Sequence, residues 1–109
     1  MTTTEKKVTL HGNALDLTGT LPKPGDSAPD FEVTDNDLGT KSLKDFAGNA
    51  LILSSVPSLD TPVCDMETRR FNTEAARLDP GIRILTISMD LPFAQNRWCG
   101  AAGADQVVT

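Results

Sequence analysis

Two nearly continuous apolar runs stand out along the chain, ALILSSV over residues 50–56 and IRILTIS over residues 82–88. Neither shows the alternation of a half-exposed strand, so each reads as a strand covered on both faces. Residues 62–78 between them are rich in helix formers and stop before Asp79-Pro80-Gly81, which cannot continue a helix. Strand, helix and strand at this spacing predict a right-handed βαβ unit with parallel strands.

The flanking pattern is weaker. Residues 8–17, VTLHGNALDL, place two short alternating segments around His11-Gly12-Asn13. Gly and Asn tolerate the positive φ of a tight turn, which predicts an N-terminal β-hairpin. A connector punctuated by Pro and Gly, LPKPGDSAPDF, leads to a short strand over residues 31–34 and the polar turn DNDLG. Residues 42–46 suit one helical turn ended by Gly48. Leu91 to about Gly100 reads as a second long helix, opened by Pro92 in its first turn. Val107-Val108 is placed to begin a further strand.

At 109 residues the chain is one domain or part of one. The formal net charge is −5 and the ten Lys and Arg residues are scattered, so a nucleic-acid surface has no electrostatic footprint. The opening MTTTEKKVTLHGNALDL lacks the apolar region of a signal peptide, and no run reaches the roughly 18 residues of a membrane helix. The expectation is a cytoplasmic protein with no membrane partner. In a reducing compartment its two cysteines are either inert buried thiols or redox-active ones.

The stretch PSLDTPVC ends in the first of them. Pro62 suits the first helical position and pushes Thr61 into an extended conformation, which makes Thr61 the expected N-cap. Cys64 is then the third helical residue, among unpaired N–H groups at the positive end of the helix dipole. Such positions favour a thiolate over the free thiol, whose usual pKa is about 8.5. Phe71, Ala75 and Leu78 continue the Cys64 face, which points the sulfur at the sheet. Asp60, Asp65 and Glu67 oppose a thiolate, and Arg69 and Arg70 fall off this face. Cys99 sits near the end of the second helix, before Gly100, in a segment expected to fray and move. A mobile second thiol is suited to resolving an oxidised first one. On these residues alone, a small buried hydrophobe at Cys64 remains the alternative.

Other chemistries lack their residues. A thioredoxin-type dithiol needs Cys-x-x-Cys, but Thr61 and Glu67 occupy the positions three away from Cys64. The only histidine, His11, lies in the expected hairpin turn, so a cysteine hydrolase has no base. Zinc needs four ligands, and no Gly-rich loop has the spacing for phosphates.

Three segments together resemble the peroxiredoxins, and among them the atypical two-cysteine thiol peroxidases. PSLDTPVC contains the Pro-x-x-x-Thr-x-x-Cys pattern as Pro57, Thr61 and Cys64. PGDSAPDFEV resembles the stretch before the first core strand of that family. DLPFAQNRWCG, residues 90–100, resembles the helix that carries the resolving cysteine. The resemblance implies an α/β, thioredoxin-like fold with an N-terminal β-hairpin, of which residues 1–109 form the N-terminal portion of a single domain. It implies reduction of hydrogen peroxide and organic hydroperoxides, with Cys64 peroxidatic, Cys99 resolving and a Cys64–Cys99 disulfide recycled by thioredoxin. The Thr61 hydroxyl would hydrogen-bond sulfur and peroxide, and Pro57 and Pro62 would shape the pocket. No metal, haem or flavin is implied, and a homodimer is left open. The family's later strands, final helix and sulfur-contacting arginine have no counterpart before Thr109; Arg69, Arg70, Arg83 and Arg97 do not match that arginine by motif. The alternative is therefore a catalytically weak or inactive fragment with redox-sensitive thiols.

Overall fold

The computed structural model describes residues 8–109. Strands β5 (Ala50–Val56) and β6 (Ile82–Ser88) are preceded by two short antiparallel pairs, β1 (Val8–Leu10) with β2 (Asn13–Leu15), and β3 (Glu32–Thr34) with β4 (Thr40–Ser42). The hairpin turn falls where expected, but the positive φ angles belong to His11 and Gly12, and Asn13 already pairs with Leu10. Strand β4 was not anticipated: its Thr-Lys-Ser sequence has no apolar signal, and its register against β3 comes from the Asp35–Gly39 turn. There the Asp35 carboxylate accepts the Asp37 and Gly39 amides at 3.0 and 2.8 Å. A 3-10 turn, Leu43–Phe46, follows and buries Phe46.

The βαβ unit is present. β5 and β6 are parallel, from Ala50 opposite Ile82 to Val56 opposite Ser88, with helix α1 (Pro62–Ala75) between them in sequence. The helix ends three residues earlier than its composition predicts. Arg77 and Leu78 amides turn back to Glu74 and Ala75 carbonyls at 2.9 and 3.2 Å, tightening the exit so that Leu78 reaches the core. Val108 bridges Leu85 in parallel, with bonds on both sides of it: Thr86 N–H to the Val108 carbonyl at 2.7 Å and Val108 N–H to Ile84 at 2.9 Å. β6 is thus flanked by backbone on both edges, and Ile84, Leu85 and Thr86 are buried.

β5 departs from the expectation of a strand covered on both faces. Ile52 and Leu53 are 38% and 47% exposed, whereas Ser54 and Val56 are buried. Its only hydrogen-bonded neighbour among the described residues is β6, so an apolar run typical of an inner strand here lies at an edge.

Helix α2 (Pro92–Ala102) also runs past its expected end. Gly100 stays helical; Gly103, at φ 66°, is the residue that adopts the left-handed cap. The Ala104 amide then returns to the Cys99 carbonyl at 2.9 Å, a closed helix end rather than the frayed one expected at Gly100. Two apolar clusters result. Val56, Leu59 and Cys64 form one, and Ile84, Ala104 and Val107 form the other with Phe71, Ala75, Leu78, Cys99 and Ala102 around them. Trp98 packs against both.

Thr68, one turn after Cys64 on α1, is 0% exposed and its hydroxyl oxygen has no hydrogen-bond partner. Thr68→Val keeps the side-chain shape and removes an unpaired buried group, so it should stabilise the fold by about 1 kcal/mol. A urea unfolding midpoint that rises in the variant is the expected result; a midpoint that falls shows that the hydroxyl has a partner.

Candidate functional site

The loops leaving β5 and β6 lie together at the carboxyl ends of parallel strands, where open α/β sheets place their sites. A single carboxylate fastens one to the other. Asp90, just past β6, accepts the Ser58 hydroxyl at 2.7 Å on Oδ1 and the Leu59 amide at 2.8 Å on Oδ2. Ser58 Oγ in turn accepts the Asp60 amide at 3.1 Å, and the Met89 amide reaches the Pro57 carbonyl at 3.2 Å. On the other side, Ser88 Oγ accepts the Asp90 amide at 3.2 Å and Gln95 Nε2 at 2.9 Å. Partial burial pushes the Asp90 pKa up, but the Leu59 amide and the Ser58 and Ser88 hydroxyls outweigh it and leave it below the ordinary carboxylate value.

This tether sets the entry to α1. Thr61 is the N-cap by backbone conformation, at φ −90° and ψ 144°, but its side chain caps nothing. Its hydroxyl donates instead to the Ser58 carbonyl at 2.8 Å. The first helical bond is from Asp65 N–H to the Thr61 carbonyl at 2.9 Å, so Cys64 lies in the first turn, where no side-chain cap competes for the amides. Cys64 is 9% exposed, packed with Val56, Leu59 and Trp98. Pro57 and Pro62 are exposed on either side of the turn.

Asp65 does not stand as a free negative charge beside the sulfur-bearing residue. Its Oδ1 accepts Trp98 Nε1–H at 2.7 Å and its Oδ2 accepts Arg69 Nε–H at 2.9 Å. Those bonds, Trp98 first and Arg69 second, hold its pKa below the ordinary range against desolvation. The Arg69 guanidinium also lies over the Trp98 ring, 5.6 Å from its centroid.

Cys99 is half-buried in the other cluster, its sulfur 3.5 Å from Thr109 Oγ1. Thr109 Oγ1 accepts Asn36 Nδ2 at 2.7 Å, and Asn96 Nδ2 donates to the Asn36 carbonyl at 3.0 Å. Both thiols are free. The structure therefore brings Thr61, Pro62 and Cys64 together and sets Cys99 apart, joined to them through Trp98. Asp90, Asp65 and Trp98 were missed as site residues from sequence; the signal available for Asp90 was its place between a strand end and Leu91-Pro92.

A cleft of about 430 Å³ opens on the other side of the tether, lined by Ser88, Asp90 and Gln95 together with Phe46, Thr86 and Thr109, and neither cysteine lines it. A smaller one of about 200 Å³ lies between Leu59, Asp90, Arg97 and Trp98. Among the described residues no cluster of three or more His, Cys, Asp or Glu is placed to hold a metal ion. No helix among them is long and apolar enough to cross a membrane.

A parallel βαβ unit with a cysteine in the first turn of its helix, at the carboxyl end of the sheet, defines a thioredoxin-like α/β protein of the peroxiredoxin kind. The AhpC/TSA family profile matches residues 24–107, and the chain belongs to that family. It is 55% identical over 102 residues to a thiol peroxidase of Oceanobacillus iheyensis, an alignment covering 94% of this chain and 62% of that protein. A peroxiredoxin-like protein from Aquifex aeolicus superposes with a TM-score of 0.82 at 40% identity, over 94% of this chain and 59% of the other. A thiol peroxidase from Chromobacterium violaceum shares the fold at a TM-score of 0.77 and 22% identity, over 94% and 60%. The chain thus spans about 62% of the length of the curated relatives it matches.

The Asp90 tether predicts a signed pH dependence. A carboxylate whose folded pKa is lowered contributes stability above the ordinary value of 3.8 and loses it as pH falls through the lower folded value. Asp90→Ala should cost about 1–2 kcal/mol at neutral pH, a partly exposed charged hydrogen bond being at the low end. In chemical denaturation that difference should shrink as pH drops below 3.8. A difference that stays constant down to about pH 3 contradicts the assignment.

Proposed function

We propose that the chain performs thiol-dependent peroxide reduction, with Cys64 as the peroxidatic and Cys99 as the resolving residue. The observation that carries this reading is Cys64 in the first turn of α1, with no side-chain cap on that turn and a second thiol on the helix that packs beside it. In the reaction, the Cys64 thiolate attacks one peroxide oxygen, the O–O bond breaks, and the departing alkoxide or hydroxide takes a proton and leaves as alcohol or water. The cysteine is then a sulfenic acid. The Cys99 thiolate attacks its sulfur, releasing water and forming the Cys64–Cys99 disulfide. A dithiol reductant of the thioredoxin class returns both residues to thiols.

The local geometry supports separate duties for the groups around the sulfur. First-turn N–H groups left without a side-chain cap are available to stabilise the charge that develops on oxygen and sulfur. The Thr61 hydroxyl hydrogen is engaged by the Ser58 carbonyl, which leaves its oxygen lone pairs to accept a peroxide O–H. Pro57 and Pro62 bracket the Ser58–Thr61 turn and shape the peroxide pocket in this reading. The substrates are hydrogen peroxide and organic hydroperoxides, in the cytoplasm, with no metal or organic cofactor. A homodimer accords with this reading.

The placement of the arginines favours a second reading, redox-sensitive thiols without turnover. Arg69 is engaged by Asp65 and Trp98, Arg70 by Glu74, and Arg83 lies over Phe46, while Arg97 lines the small cleft beside Leu59 and Trp98. None of those pairings involves Cys64.

Thiol counting tests the pair. Stoichiometric peroxide should consume both thiols of each chain and give one intramolecular disulfide; Cys64→Ser should abolish consumption, and Cys99→Ser should stop at a trappable sulfenate. An unchanged thiol count sinks both redox readings. Peroxide-dependent oxidation of thioredoxin over many cycles supports the enzyme, and a single oxidation without turnover supports the second reading.

A further inference from the structure

Cys64 and Cys99 lie in different apolar clusters, each on a regular helix, and each sulfur is packed among its own neighbours. A disulfide between them requires at least one of the two helices to shift. Trp98, the residue before Cys99, donates its indole N–H to Asp65, the residue after Cys64, at 2.7 Å. Arg69 closes the group, bonded to the other Asp65 oxygen at 2.9 Å and lying over the indole. Trp98 is also the side chain that packs on both clusters.

We infer that Asp65, Arg69 and Trp98 form a clasp that holds the Cys99 helix docked, and that its opening sets the rate at which the disulfide closes. The inference rests on the Cys64–Cys99 pairing proposed above and makes Asp65 and Trp98 positioning residues for the resolving step. Both ends of the clasp are adjacent to a reacting cysteine, so the bond joins the two backbone segments whose separation has to change. Elsewhere on α2, the contacts of Asn96 with the Asn36 carbonyl and of Cys99 with Thr109 involve exposed or weak partners, and buried Gln95 is held to Ser88 by a neutral bond of 2.9 Å near the start of the helix, away from Cys99. The Asp65 bond is charge-assisted and short, the kind that dominates such a set.

The chain's single tryptophan makes the clasp its own reporter. Stopped-flow fluorescence follows Trp98 in the full chain while saturating diamide, or one equivalent of hydrogen peroxide, closes the disulfide. Diamide takes up the two hydrogens of the thiols and becomes a hydrazine, so it forms the bond even in a protein that ignores peroxide. Failure of the peroxidase reading thus leaves the diamide arm intact.

Emission should change at the rate of disulfide closure and stay constant when Cys99→Ser is oxidised only to the sulfenate. Asp65→Ala, which keeps the reporter, should close about five- to tenfold faster. Trp98→Phe, followed by the mass of alkylated chains, should show the same acceleration. The double variant should be no faster than either single one, because one bond is removed in all three. A residue with a merely structural role would lower the unfolding midpoint and leave the closure rate alone. Equal closure rates in wild type and both variants overturn the inference, as does emission that ignores the disulfide, or acceleration that multiplies in the double variant.

Discussion

The carboxylate of Asp90 fixes where the chemistry of this fold sits. By accepting the Ser58 hydroxyl and the Leu59 amide, it ties the loop after β5 to the loop after β6. Everything downstream inherits that geometry: the Ser58–Thr61 turn that uses the Thr61 hydroxyl, the direction in which α1 leaves the sheet, and the first-turn position of Cys64. Asp90 also immediately precedes the N-cap of α2, so the same group that places one thiol starts the helix that carries the other. A hydrogen-bonded carboxylate suits this purpose because two oxygens can serve two segments at once.

The two sulfurs sit in separate parts of the molecule. Cys64 belongs to the cluster under the loop after β5 and Cys99 to the larger one built on Ile84. The closed end of α2 at Gly103 returns a bond to the Cys99 carbonyl, so in the thiol state this helix is finished rather than frayed. On the proposed Cys64–Cys99 pairing, disulfide formation opens α2 with its cap and its side-chain contacts, while β6 stays clamped between β5 and the Val108 segment. That proposal divides the scaffold into a fixed strand pair and a releasable helix.

Local signals in the sequence carried the βαβ unit, the hairpin and the first-turn cysteine, because apolar runs, Pro62 and the Asp-Pro-Gly stop act over a few residues. Long-range contacts were illegible. The bonds of Asp90 to Ser58 and Leu59, and of Trp98 to Asp65, join residues far apart in sequence with no periodic mark. Local readings were incomplete where contacts beyond them decide the outcome. Gly100 looked like a stop, but it stays helical and Gly103 is the residue that takes the left-handed cap. Thr61 was placed correctly as a cap, yet the nearby Ser58 carbonyl took its hydroxyl. Apolar β5 read as an inner strand, and burial depends on neighbours that composition does not name; among the described residues β6 alone pairs with it.

In the proposed reaction the two thiols work as a pair through release of one helix. Amide hydrogen exchange, resolved by peptide mass and compared between the dithiol and disulfide forms, reads that release. Protection should fall across residues 92–102 in the disulfide form while residues 82–88 keep theirs. Unchanged protection of α2, or a loss spread evenly over both strands and helices, would contradict it.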